Sequence, residues 1–142
     1  MRKAITQEHG MGCAVACTAY VLNSTYQQAL NLYKTPQYAW SRGFYCQEIV
    51  TALSNAGKLY QYKQIKDTND SVLNLPDTIV FIEPSSIYPA GHFLVYTLEG
   101  CWMNPWINFP LIAPAKSGFQ PILPGNPTYA VFPLEKDYFI SQ

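Results

Sequence analysis

Apolar and polar positions follow one period in the first part of the chain and another in the rest. Residues 13–22 form a small-residue, almost wholly apolar run, which predicts a buried helix starting at Cys13. Its Ala14, Ala16, Cys17 and Ala19 let neighbouring backbones come close, so a central place is expected for it. Asn23 and Ser24 break the run, and Ser24 or Thr25 can cap a second helix. That helix is predicted over 25–33, where Tyr26, Ala29, Leu30 and Tyr33 recur at helical spacing. Residues 34–43 read as a loop. A third helix is predicted over 44–56, with Ile49, Val50, Leu53 and Ala56 on one face and Gly57 in the position that stops it.

Beyond Gly57 the period shortens. Residues 58–66 alternate as a strand, and 67–77 form a polar connection with one helical turn near 72–75. Residues 78–82 are a short apolar strand stopped by Pro84. Another strand is predicted over 92–98, a turn at Glu99-Gly100, and a partner strand over 101–104 ended by Pro105. Residues 105–127 are full of Pro and Gly and read as a long ordered loop that wraps the domain and borders the site. A last strand is expected over 128–133 and a tail over 134–142. Helices first and a hairpin-rich antiparallel sheet afterwards is an α+β pattern.

Composition narrows this. A chain of 142 residues has the size of one domain, and 49% apolar residues suffice for its core. Net charge is zero, with Lys and Arg scattered, so neither nucleic acid nor an anionic membrane is an expected partner. No apolar run approaches the ~20 residues of a membrane span, and Gln7, Glu8 and His9 interrupt what could have been a signal peptide. Four cysteines, spaced C-x3-C and then singly at Cys46 and Cys101, favour free thiols in a reducing, cytoplasmic compartment over a metal site.

The candidate chemistry starts at Cys13. A thiol at a helix N-terminus meets unpaired backbone N–H groups and the positive end of the dipole, which favour its thiolate. The chain holds two histidines, His9 and His92. His92 opens a strand after Pro-Ala-Gly, so its ring can project into a cleft. A tight hairpin would set Asn104 beside it. Cys13, His92 and Asn104 then supply nucleophile, base and an amide that orients the base. Gln7, six residues before Cys13, can donate its side-chain N–H to an oxyanion, together with the backbone N–H of Cys13. His9 is the competing base, placed in the loop before Cys13. Cys17 reads as a core thiol, and Trp106 as a shield against water.

Gln7, Cys13, Ala16-Cys17, the Tyr26-Gln27-Gln28-Ala29-Leu30 segment, Gly91-His92-Phe93-Leu94-Val95 and Asn104-Pro105 together resemble the C39 and C39-like papain-fold cysteine peptidases. That family carries Gln, then Cys-Gly-x-Ala-Cys six residues on, a helix pair, a His-Phe-x-Val strand and Asp-Pro or Asn-Pro. Ala14 stands where the family usually has Gly, and Asn104 where many relatives have Asp. The resemblance implies a single papain-like peptidase domain over 1–142. In it Cys13 is the nucleophile, His92 the base, Asn104 the orienting residue and Gln7 the oxyanion donor, and no metal or organic cofactor takes part.

Two settings come with the family. One is removal of leader peptides. The other, favoured because the chain begins almost at the glutamine as an excised domain would, is a bacterial toxin-like effector protease. Such an effector would be secreted to act on proteins in another cell's cytoplasm, with a cognate immunity protein as partner. The same triad serves a deamidase or transglutaminase-like enzyme, and a papain-fold binding module without activity is the non-enzymatic alternative.

Overall fold

A computed structural model describes residues 2–111 and 114–134; the tail expected over 134–142 lies, apart from Leu134, outside them. Four helices come first: α1 (Cys13–Leu22), α2 (Tyr26–Leu30), α3 (Tyr38–Ser41) and α4 (Cys46–Asn55). Six strands come after them: β1 (Tyr60–Gln64), β2 (Ile79–Ile82), β3 (His92–Tyr96), β4 (Trp102–Asn104), β5 (Gly118–Gln120) and β6 (Pro127–Pro133). They form one antiparallel sheet in the order β1-β6-β2-β3-β4-β5. The architecture is α+β. Among the described residues, no helix is long and apolar enough to cross a membrane.

Local chemistry sets the helix bounds. Thr25 accepts the Gln28 backbone N–H while the Gln28 side chain accepts the Thr25 N–H, a capping box that starts α2. Two predicted helices are shorter than their periodic pattern. α2 ends at Leu30 and passes into turns, and α4 starts at Cys46, where Glu48 reaches back to the Tyr45 N–H. After α4, Lys58 donates to the Leu53 carbonyl around Gly57, whose φ of +83° a side chain would resist. The stretch read as a loop over 34–43 contains α3. The stretch over 105–127 contains β5, which finds strand geometry by pairing with β4 despite the prolines around it.

Strand alternation divides the sheet between two cores. Ile79, Phe93, Val95, Met103 and Val131 face the helices, where α1 is buried along nearly its whole length. Val80, Ile82, Leu94, Trp102 and Ala130 pack on the other face with Leu73 from a 3₁₀ turn (Ser71–Asn74) and with Tyr88. α1 therefore cannot be amphipathic. It is apolar all round because it lies between α2, α4 and the sheet, and its first residue emerges at the sheet end where β3 begins.

Candidate active site

The nucleophile side is built by a loop with little freedom. Gly12 precedes α1 and offers no side-chain cap, so the first N–H groups of the helix stay free of side-chain partners. A Cβ at Gly12 would overlap the Tyr26 hydroxyl. That hydroxyl bonds His9 Nδ1 at 3.0 Å, and the His9 ring also packs against Trp40. His9 is thus held away from the thiol by aromatic neighbours. The Met11 N–H donates to the Ala39 carbonyl and the Gly12 N–H to that of His9. The Gln7 N–H donates to the Pro105 carbonyl at 3.3 Å, tying this loop to the residue after Asn104.

The base side comes from the β3–β4 hairpin and its flanks. His92 Nε2 and Asn104 Oδ1 lie 2.8 Å apart, with both residues buried. The Trp106 backbone N–H donates to the same Oδ1 at 2.9 Å. A backbone N–H is only ever a donor, so this bond fixes which end of the amide is oxygen. His92 must then donate from Nε2, and in the neutral ring Nδ1 is the free acceptor. Asn104 Nδ2 donates to Gln120 Oε1 at 2.7 Å and to the Tyr88 hydroxyl at 2.9 Å. Every polar atom of this buried amide has a partner.

Both sides meet in a cavity of about 200 Å³ that Gln7, Cys13, Tyr88, His92, Trp106 and Phe109 help to line. Cys13 and His92 therefore face one space. Among the described residues no hydrogen bond joins the sulfur to the ring; the backbone N–H groups of Phe93, Ala14 and Cys13 itself bear on it. Those groups favour thiolate, but burial outweighs them and pushes the thiol up to about 11. Burial likewise lowers His92 to about 4, against the opposing pull of Asn104. Both shifts run toward the neutral forms, thiol and imidazole, with burial the larger cause in each. Desolvation thus works against the thiolate that the helix start favours.

Gln7 is buried in the cavity wall, and its amide differs from the expected free oxyanion donor. Nε2 donates to the His9 carbonyl at 3.0 Å and the Gly10 carbonyl at 3.2 Å, while Oε1 has no partner. Two carbonyls demand the nitrogen at that end, so both amide protons serve the loop. Cys17 is fully buried one turn behind Cys13. All four cysteines are free, and among the described residues no cluster of His, Cys, Asp and Glu is arranged to hold a metal.

Sequence reasoning missed Tyr88 and Gln120, which complete the Asn104 network. Tyr88 lies in a Pro-flanked turn without periodicity, and Gln120 in the stretch read as loop. It also missed a larger hollow of about 560 Å³ next to the site, walled by Phe44, Tyr45, Tyr62, Phe81, Phe93 and Tyr129. Tyr129, Phe81 and Phe93 are register partners across β6, β2 and β3, so they form a row on the helix side that ends beside His92. That hollow holds Cys46 but no histidine, whereas the smaller cavity holds both Cys13 and His92.

No protein-family model matches this chain, and no curated protein is significantly similar to it.

Proposed function

We propose that this chain is a papain-like, C39-like cysteine peptidase that hydrolyses peptide bonds through Cys13, His92 and Asn104. One observation carries the reading. A buried His92, held at Nε2 by Asn104 so that Nδ1 is its free nitrogen, lines the same cavity as the thiol at the start of α1. As the sulfur attacks a carbonyl carbon, its proton passes to Nδ1 and the carbonyl electrons move to oxygen, toward the N–H groups of Cys13 and Ala14. The imidazolium then protonates the departing amine, leaving a thioester. Water attacks the thioester as His92 takes one of its protons. The acid product leaves, and the proton returns from His92 to sulfur.

The aromatic row supports a polypeptide substrate, since it offers apolar side chains a lodging beside the scissile bond. We assign the protein to the toxin-like setting, acting on proteins of a target cell with an immunity protein as its neutralising partner. Comparison of new protein N-termini generated in a proteome by wild type and by Cys13→Ala tests the reading. Cleavages unique to wild type are expected, and none would refute it. Intact-mass measurement of the same samples separates hydrolysis from deamidation, which adds about one dalton without cutting the backbone, from the same acyl chemistry.

A further inference from the structure

Protonating His92 places a positive charge in a closed site. The ring is 4% exposed, and its in-plane partner is a neutral amide. Among the described residues no carboxylate lines the cavity that His92 borders. The groups that face it are Cys13 from α1, Asn104 from β4 and Tyr88 from the preceding turn, none of them a carboxylate. Yet the reaction needs the imidazolium twice.

We infer that Tyr88 is a positioning residue whose ring face stabilises the imidazolium form of His92, in place of a carboxylate at the ring edge. The two rings are stacked with centroids 4.1 Å apart and planes within 3°. A cation over an aromatic face within about 6 Å is attracted by the ring quadrupole, and more strongly when desolvated. Tyr88 is 4% exposed, so the contact is shielded from water.

The ring is also held in place. Its hydroxyl donates to the Trp106 carbonyl at 3.0 Å and accepts from Asn104 Nδ2 at 2.9 Å. Phe109 packs on it at 5.1 Å between centroids. Its backbone is pinned from both sides, the Tyr88 N–H donating to Ser85 Oγ and the Gly91 N–H to the Tyr88 carbonyl. One side chain thus governs the face of the imidazole through its ring and the amide at the edge through its hydroxyl. The inference rests on the peptidase reading for the step it serves: the proton leaves Cys13 Sγ for His92 Nδ1 while the sulfur electron pair forms the bond to the carbonyl carbon.

The test separates ring from hydroxyl in the full chain. His92 is titrated by NMR, and Cys13 alkylation by iodoacetamide is tracked across pH, for wild type, Tyr88→Phe and Tyr88→Leu. Tyr88→Leu should lower the His92 pKa by about one further unit and slow alkylation near neutrality about tenfold. Tyr88→Phe should hold the His92 pKa within a few tenths of wild type and slow alkylation about threefold, through a looser Asn104. Equal His92 titrations in Leu and Phe variants would overturn the inference. Should Tyr88→Leu not fold, Phe at position 88 is compared with its pentafluorinated form. That ring has nearly the same shape and a reversed quadrupole, and must lower the His92 pKa for the inference to stand. Both readouts work without peptide hydrolysis. Hydrolysis by a protein whose His92 ignores the ring would sink this inference and leave the peptidase reading intact.

Discussion

The two walls of the cavity are built on opposite principles. On the Cys13 side an apolar helix is fixed by packing and ends in an uncapped first turn, with N–H groups to spare. On the His92 side Asn104 spends every polar atom, on His92, Trp106, Tyr88 and Gln120. The difference reflects the work of each wall. On the peptidase reading, the first would receive a charge that forms on a substrate oxygen, and no side chain caps its donors. The second must hold one ring in one tautomer, and an unused donor there would let it turn.

The largest expected break in this comparison is His92→Ala, which on the peptidase reading removes the group that takes the thiol proton. Peptide hydrolysis should fall by roughly 10³-fold or more, read as kcat/KM. Asn104→Ala leaves the Trp106 N–H and Gln120 Oε1 without their partner. It should cost about 100-fold in rate and about 2 kcal/mol in stability, measured by urea unfolding.

Proton linkage gives the next effect. His92 is lowered from 6.5 to about 4 in the folded protein, so the unfolded chain takes up a proton first as pH falls. Nothing is lost above 6.5, and stability should decline by about 3 kcal/mol between there and pH 4, then level off. Urea midpoints across that range should show the decline in wild type and lack its His92 share in His92→Gln. Because the Cys13 thiol is pushed up to about 11, alkylation should climb from neutral into alkaline pH. A plateau already reached near pH 6 would mean a resting ion pair instead.

The smallest effects come from two glycines, one in each wall. Gly91 has a φ of +75°, and a Cβ there would run into the Phe81 ring, so Gly91→Ala should cost about 2 kcal/mol. A Cβ at Gly12 meets the Tyr26 hydroxyl, the end of a side chain that can turn aside. Gly12→Ala should therefore cost about 1 kcal/mol in thermal unfolding and chiefly disturb His9.

Much of this frame was legible because its signals are local. The helix start at Cys13, the break at Asn23, the stop at Gly57 and the turn at Gly100 each depend on a few neighbouring residues. The hairpin that brings His92 to Asn104 could be read the same way. Gln120 could not, because β5 is a strand only through its pairing with β4. Tyr88 was hidden because the partners of its ring and hydroxyl lie 4 to 21 residues further along the chain. The direction in which burial shifts Cys13 and His92 escaped for another reason. Sequence shows which groups can titrate, but burial decides their charge, and burial belongs to the assembled cavity.

The strand order bears on how such a chain can be made. β6 is the last of the six to leave a ribosome, yet it lies between β1 and β2, pairing with both. Until residues 127–133 emerge, β1 has no neighbour in the sheet and β2 has one. The cysteine is synthesised more than 110 residues earlier. Vectorial synthesis therefore delivers Cys13 first and closes the sheet beneath it last, so a nascent chain cannot assemble this sheet until its sixth strand is available.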